Sequence, residues 1–525
     1  MKEINVLKKR VSSHALGVAI AYPSIYEVAT KSLSFQMLYF YINSLENFYA
    51  ERFVVQRLHG SEPPALSIES KKPLRDFRLI LFSIHYEPDY VNVIRLLQSG
   101  GVHPLACKRS QIVVVGGPPV IANPITLSEI ADVVVVGEIE KTVPVILEAV
   151  ASQADDKRSI LDCLPPEKGF YIGSRGDEHV IYSYVENLPL EFHPIKQVQP
   201  LNDRWRKTTL IEVSRGCVRG CRFCLEGHIF LPKRDRPLSD ILYIAEKGYK
   251  YNSAEHVTLI ALSLFDHPQA DEIITKLLEM GCKLSLPSLR LDTLHRERLE
   301  LISRSGQRTL TIAPETASTS LSSVIGKPSL RDKLLEIAKE AETLGFNEIK
   351  LYFMVGLPGE KHDDIRGIID LVTKIATISD FKGRRRLKLS LSVFVPKPQT
   401  PMQWFGMEEW KKLRRKISTI ANELKGVAEV RPYKPLWAYV QCVLGRAGSE
   451  ATELLLRWAL AGGGLGGWRR AVRETGFKVP KYIDPLDTNE KNPWDVVKMP
   501  ASKVLKRGYE LCLQLIEQRA ETEII

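Results

Sequence analysis

Short β-branched runs alternating with stretches of helical periodicity constrain this chain more than any other feature. Strands buried on both faces, with helices between them, build parallel sheets. Two of the runs are purely apolar, Ile112-Val-Val-Val115 and Val133-Val-Val-Val136, and each leads directly into a turn, Gly116-Gly117-Pro118-Pro119 and Gly137-Glu138. With Leu16 to Ala21, Phe53 to Leu58 and Leu79 to Ile84 they predict five strands, and Ser32 to Leu45 and Tyr90 to Gln98 carry helical spacing between them. Residues 1–154 therefore read as a doubly wound, Rossmann-type α/β domain whose ligands bind at the carboxyl edge of the sheet. A second series predicts strands at Thr208 to Val213, His256 to Ala261, Lys283 to Leu286, Thr309 to Ile312, Glu348 to Met354 and Leu387 to Val395. Helical stretches separate them at Leu238 to Lys250, Gln269 to Gly281, Asp332 to Leu344 and Asp363 to Ile378. Six such strands over residues 205–430 predict a partial (β/α)6 TIM-type barrel, with the active site in the loops after the strands.

The remaining segments are less periodic. Residues 155–204, broken at Leu164-Pro-Pro-Glu167 and Asn187-Leu-Pro-Leu190, read as a connector, and residues 431–525 as a mainly helical C-terminal region. In that region Gly462-Gly-Gly-Leu-Gly-Gly467 has neither the G-K-[ST] ending nor the preceding strand of a phosphate loop, so it reads as a hinge.

Composition sets the outer limits. With 525 residues, 44% hydrophobic and 26% charged, the chain has enough apolar material for several cores and is neither disordered nor fibrous. The net charge of +11 suits an anionic partner such as nucleic acid or a membrane surface, but basic soluble enzymes share it. No signal peptide is apparent, and apolar runs stop well short of the roughly 20 residues that a spanning helix needs, which predicts a cytoplasmic, reducing compartment. The eight cysteines are too sparse for a disulfide scaffold. Cys282, Cys442 and Cys512 lie in apolar surroundings and read as buried hydrophobes.

Three cysteines fall together in Cys217-Val-Arg-Gly-Cys221-Arg-Phe-Cys224, directly after the first barrel strand. Three thiolates in one tight loop hold three irons of a cubane and leave the fourth without a protein ligand. A zinc site completed by His228, four residues on, is the competing reading. The carboxyl end of a barrel strand, which faces the active-site mouth, favours the cluster.

A CxxxCxxC motif after the first strand of a partial barrel resembles the radical SAM superfamily. The resemblance implies a [4Fe-4S] cluster on Cys217, Cys221 and Cys224 whose open iron chelates S-adenosylmethionine. It also implies reductive cleavage to a 5′-deoxyadenosyl radical and an electron donor such as ferredoxin or flavodoxin. It assigns Phe223 to the adenine and Ser263, in Ala261-Leu-Ser263, to the methionyl amino group. Arg290 goes to the carboxylate, Glu315 to the ribose hydroxyls or amino group, and Gly356 and Pro358 to an adenine-binding stretch. Each residue also has a structural reading: Arg290 as a surface cation, Glu315 as a helix N-terminal acid, Gly356-Leu-Pro-Gly359 as a strand-to-helix turn.

Further segments narrow the match: Tyr22-Pro-Ser-Ile-Tyr-Glu27, Gly116-Gly117-Pro118, Ala313-Pro-Glu315, Tyr352-Phe-Met-Val-Gly-Leu-Pro358, Phe394-Val-Pro-Lys-Pro398 and Asn492-Pro-Trp-Asp495. Together they resemble a group of radical SAM proteins with an N-terminal cobalamin-binding-type domain, which implies either cobalamin as a further cofactor, with Gly116 and Gly117 at its nucleotide tail, or a domain that keeps the fold as a substrate or packing platform. The chain lacks the Asp-x-His-x-x-Gly motif of base-off cobalamin domains: Ser12-Ser-His14-Ala-Leu-Gly17 imitates it but precedes the first strand, and His85 reads as a core or edge residue. The expected function is C–H functionalisation, with cobalamin-dependent methylation as the specific form. The alternatives are a methylthiotransferase-like tRNA modifier and a non-catalytic metal-binding regulatory protein. The tRNA reading draws on Lys382-Gly-Arg-Arg-Arg386-Leu-Lys388, otherwise a solvated loop ahead of the sixth strand, but leaves only Cys107 and Cys163 for a second cluster. RNA, lipid and protein remain substrate classes, and Trp404, Tyr433 and Trp437 are candidates for either pocket lining or packing.

Overall fold

The computed structural model describes residues 2–7, 9, 15–152, 156–201, 207–381 and 383–521, the side chains of 383–385 excepted. The chain forms two compact units. The first comprises Met1–Trp205, Val440–Ile483 and Asn489–Ser502, and the second Arg206–Tyr439, Asp484–Thr488 and Lys503–Ile525. The residues beyond 430, read from the sequence as one region, are thus shared between the two.

The first unit is built on a six-stranded sheet of β1 (Leu16–Ile25), β2 (Phe48–Val55), β3 (Leu79–Ser83), β4 (Ile112–Gly116), β5 (Val133–Val135) and β6 (Phe170–Tyr171). The strand order is β2-β1-β3-β4-β5-β6, parallel except for β6, which adds antiparallel to β5. The connector expected at 155–204 therefore supplies an edge strand. Helices α1 (Leu33–Ser44), α2 (Tyr90–Ser99) and α3 (Ile139–Ser152) link the strands, and residues of β1 to β6, α1 and α3 share one core of Ile, Leu, Val and Phe. β2 lies five residues earlier than the sequence suggests at its start. Its pairing with β1 begins at Phe48, and it ends where Glu62 takes the backbone N–H groups of Gln56 and Arg57 at 2.6 and 3.1 Å. The imitation motif at Ser12–His14 lies outside the described residues.

The order places a topological switch point between β1 and β3, where the chain leaves β1 first to one side and then to the other. In open parallel sheets the crevice at the carboxyl ends of such a pair is the ligand site.

The second unit carries β7 (Thr208–Glu212), β8 (His256–Ile260), β9 (Leu284–Ser285), β10 (Thr309–Glu315), β11 (Glu348–Val355), β12 (Gly383–Val393) and β13 (Ala428–Pro432). β7-β8-β9 and β10-β11-β12-β13 are parallel sheets, joined by the parallel bridge of Leu289 with Ile312. The helices α4 (Leu238–Tyr251), α5 (Ala270–Glu279), α6 (Arg296–Arg304), α7 (Thr319–Ile325), α8 (Arg331–Thr343), α9 (His362–Ile378) and α10 (Trp410–Glu423) lie between successive strands. The partial barrel therefore has a seventh strand, β13, too short and polar at its end for sequence periodicity to mark. The arginine run is not a loop ahead of the sixth strand: β12 already begins at Gly383. Lys382 lies outside the described residues, as do the side chains of Arg384 and Arg385.

Beyond the barrel run α11 (Pro435–Arg446), α12 (Ala451–Leu460), α13 (Gly464–Thr475) and α14 (Leu505–Glu521). The glycine run is not a hinge. Gly462, Gly463 and Gly464 hold φ of 79°, 73° and 68°, a left-handed path that turns α12 directly into α13. The corner is packed: Trp458 and Trp468 meet edge to face at 5.0 Å, and the Trp458 indole donates to the Gly464 carbonyl at 2.8 Å. No helix among the described residues is long and apolar enough to cross a membrane.

Candidate radical and corrinoid sites

The cysteine loop leaves the carboxyl end of β7. A two-stranded ribbon closes its base, pairing Ser214 with Asp235 and Arg215 with Arg234. The loop top is pinned from outside: the Arg222 N–H donates to the Ile325 carbonyl at 2.9 Å, and its guanidinium caps the C-terminal end of α7 through the Ser323 and Val324 carbonyls at 2.6 and 2.9 Å. A cation at a helix C-terminus is favoured by the unpaired carbonyls there.

All three thiols are free. Burial pushes the Cys217 thiol up and drives Cys224 up to about 12, so bare thiolates are unfavourable in this loop and a cationic centre is what would stabilise them. Each sulfur also receives an N–H: Cys217 from the Arg219 backbone, Cys224 from the Gly227 backbone, and Cys221 from Nη1 of Arg290 at 3.4 Å. Among the described residues no three His, Cys, Asp or Glu side chains converge on a single metal ion. A cubane makes a different demand, taking each thiolate on a different iron. His228 is buried, with Nδ1 against the Cys224 carbonyl at 2.7 Å, so that its ring braces the short helix Leu225–Ile229.

The other expected contacts lie in turns after successive strands. Ser263, buried after β8, hydrogen-bonds Asp266, whose carboxylate pairs with Arg219 inside the cysteine loop; Arg219 holds it below the usual range against the upward pull of burial. Arg290, after β9, puts Nε and Nη2 on Asp292 at 3.0 and 3.2 Å, and Asp292 also accepts from Arg219 at 3.1 Å. Glu315, buried at the end of β10, has φ of 68° and pairs with Lys327 at 2.8 Å. A non-glycine residue in this conformation stores strain, a feature concentrated at functional positions. Gly356, φ 78°, donates its N–H to Glu360 at 2.9 Å, and Glu360 pairs with Lys416 at 2.6 Å. Phe223 and Leu357 belong to one apolar cluster with Met354, Phe394, Cys512 and Ile516, which brings the cysteine loop against the turn that holds Pro358. Ser263 and Arg290 are thus drawn to the cysteine loop, of which Phe223 is a part, while Glu315 and Gly356 are engaged by partners of their own. Arg219, Asp266 and Asp292 are the site residues that sequence reading missed, and the signal was an arginine inside the cysteine motif.

In the first unit the switch-point crevice is polar. The exposed His85, directly after β3, directs Nε2 to the hydroxyls of Ser34, Ser83 and Ser32 at 3.0, 3.3 and 3.4 Å, beside the Tyr22 ring at 5.6 Å. Next to it, after β4, Gly117 adopts φ 125° and ψ 171°, and an added Cβ would lie 1.9 Å from the Ile84 carbonyl oxygen; at Gly116 the nearest atom to such a Cβ is Val135 Cβ at 3.6 Å. Gly117 is therefore required by the close approach of its own turn to the end of β3, and Gly116 is the glycine at which a Cβ would make only an ordinary van der Waals contact.

Two family models match the chain: the radical SAM superfamily over residues 211–372, and radical SAM proteins, N-terminal, over residues 34–172. The uncharacterized protein MJ0966 of Methanocaldococcus jannaschii is 32% identical over 390 residues, which cover 74% of this chain and 82% of that one. The chain belongs to the radical SAM superfamily. Its fold, including a cobalamin-type N-terminal region, is that of two solved radical SAM proteins. One is the methyltransferase TsrM of Kitasatospora setae, whose structure with tryptophan substrate and a SAM analog matches with a TM-score of 0.54 at 12% identity, over 96% of this chain and all of that one. The other is the cobalamin-dependent SAM radical enzyme OxsB with aqua-cobalamin and SAM bound, TM-score 0.52 at 12% identity, over 97% of this chain and 80% of that one. A further TsrM structure holds cobalamin and a [4Fe-4S] cluster. This radical SAM chain thus has the layers of those two enzymes, with its cysteine loop at the mouth of the barrel.

Proposed function

We propose that this radical SAM chain holds one [4Fe-4S] cluster on Cys217, Cys221 and Cys224, cleaves S-adenosylmethionine, and methylates an unactivated carbon of its substrate with cobalamin in the N-terminal crevice. The observation that carries the cluster is the loop itself: three free thiols after the first barrel strand, each supplied with an N–H donor, with Cys217 and Cys224 destabilised as bare thiolates by burial. A cluster held by Cys217, Cys221 and Cys224 would supply, with SAM, the radical chemistry, and cobalamin would supply the transferred methyl group; the protein contributes placement and exclusion of water. The apolar cluster around Phe223 and Leu357 forms a dry wall beside the loop. The serine hydroxyls around His85, beside the side-chain-free backbone of Gly116, offer a polar seat at the carboxyl edge of the sheet, fitting a cofactor rich in amides. An electron donor of the ferredoxin or flavodoxin type completes the reading.

Anaerobic reconstitution tests it. The wild type should take up about four irons with inorganic sulfide and convert SAM to 5′-deoxyadenosine and methionine, and Cys221→Ala should lose both properties. One zinc without sulfide would overturn the cluster. Cobalamin is tested separately by gel filtration with hydroxocobalamin: co-elution in the wild type, weakened in His85→Ala, is expected, and no co-elution removes the methylase form while leaving SAM cleavage standing.

A further inference from the structure

Of the three N–H donors that reach the cysteine sulfurs, two are neutral backbone groups of the loop itself. The third is a cation carried on a different turn: Arg290, whose Nη1 lies 3.4 Å from Cys221 Sγ. Its aim is fixed. Nε and Nη2 both rest on the Asp292 carboxylate, which leaves Nη1 toward the sulfur, and only 11% of the side chain is exposed. Asp292 is shared with Arg219, and the other edge of Arg219 is held by Asp266, so two guanidinium groups and two carboxylates alternate across three loops. The group is charge-balanced and offers no surplus cation. A bidentate clamp on a substrate carboxylate would need the remaining edge of Arg290, Nη1 with Nη2, and would displace Cys221.

We propose, resting on the cluster reading above, that Arg290 is a positioning residue for the iron held by Cys221: it donates to that thiolate, raises the cluster's reduction potential, and does not clamp the SAM carboxylate. The reduced cluster carries one more negative charge than the oxidised one, partly on its sulfur ligands. A partly buried guanidinium in contact with one sulfur therefore stabilises the reduced state more. Asp292 and Arg219 keep that contact from swinging away during turnover.

Wild type, Arg290→Gln and Arg290→Lys would be reconstituted anaerobically, counted for iron and sulfide, and titrated redox-metrically by EPR without SAM; SAM affinity would be measured by calorimetry. With cluster content unchanged, Arg290→Gln should lower the reduced-to-oxidised ratio at the wild-type midpoint about tenfold, a shift of about 59 mV to more negative potential for one electron. Arg290→Lys should fall between, because an ammonium restores charge but not the fork. SAM affinity should change less than threefold. An unmoved midpoint in Arg290→Gln overturns the proposal, as does a tenfold or larger loss of SAM affinity, which would assign Arg290 to the carboxylate. If Arg290→Gln takes up no cluster, Arg290→Lys decides by whether its midpoint lies below that of the wild type. A wild type without four irons fails the underlying reading instead, and the iron and sulfide count tells the two failures apart.

Discussion

The adjacent glycines at the carboxyl end of β4, Gly116 within it and Gly117 just beyond, make opposite predictions. An alanine Cβ at Gly117 would sit 1.9 Å from the Ile84 carbonyl oxygen and 2.9 Å from its carbon, both backbone atoms, and the conformation of φ 125° and ψ 171° is open essentially to glycine alone. Gly117→Ala must therefore move the turn. The strained backbone costs about 1–3 kcal/mol. Shifting the packed strand end costs about 1–3 more, and the Ile84-to-Gly116 hydrogen bond at 2.8 Å is worth about 1. A loss of about 3–7 kcal/mol is expected. For a unit of this size that lowers Tm by roughly 6–28 °C, since each kcal/mol corresponds to about 2–4 °C. Gly116→Ala meets only Val135 Cβ at 3.6 Å and should leave Tm unchanged or slightly higher, because alanine restricts the unfolded chain. Thermal unfolding followed by circular dichroism measures both. Cobalamin co-elution of the intact Gly116→Ala protein then reports on the crevice without a stability artefact. A Gly117→Ala protein melting within 2 °C of wild type would refute the steric argument, and equal destabilisation at both positions would refute the division of roles.

Three other perturbations follow. Arg52 is buried between Glu3 and Glu69, at 2.8 and 2.6 Å, so Arg52→Met leaves two carboxylates without their cation and should cost about 3–5 kcal/mol in urea unfolding. Lys327→Met strands the buried Glu315 carboxylate and should destabilise by about 2 kcal/mol. Glu315→Gly should cost less because glycine relieves the φ of 68° and Lys327 can reach solvent, so urea midpoints should rank the two in that order. Burial raises Glu360 from 4.5 up to about 7, with Lys416 opposing the rise. A raised carboxyl pKa in the folded state contributes stability below pH 4.5 that is lost as pH climbs through 7. Wild type should thus lose stability relative to Glu360→Gln between pH 5 and 8, by up to about 3 kcal/mol. A constant difference across that range would contradict it.

How far the sequence reaches depends on the range of the forces involved. The strands at Leu79, Ile112, Val133 and Thr208 were legible because double-sided burial writes itself into consecutive residues, and those at Glu348 and Leu387 because one-sided burial writes a strict alternation. The cysteine loop was legible because its chemistry needs three thiols within one turn. The end of β2 was not, since it is fixed by the Glu62 carboxylate across a loop. β13 was missed because it gains its place by pairing with β12 rather than by its own apolar pattern, and the glycine corner was misread because its stability comes from Trp458 and Trp468 on the flanking helices.

The turns after the barrel strands share a logic that ordering along the barrel does not reveal. Ser263 meets Asp266, Arg290 meets Asp292, Gly356 meets Glu360, and Glu315 meets Lys327: in each, the polar group at the strand end is engaged by a residue two to twelve positions downstream. Such local closure fixes each turn before any ligand arrives, which is the preorganisation a site needs if cofactor binding is not to be spent on ordering loops. Two of these pairs, Ser263 with Asp266 and Arg290 with Asp292, are joined through Arg219 into one network, and that network touches a cysteine at Arg290. The turn after β9 is therefore where a change in loop electrostatics reaches a cysteine sulfur directly, and substitutions in the turns of Glu315 and Gly356 should leave that sulfur undisturbed.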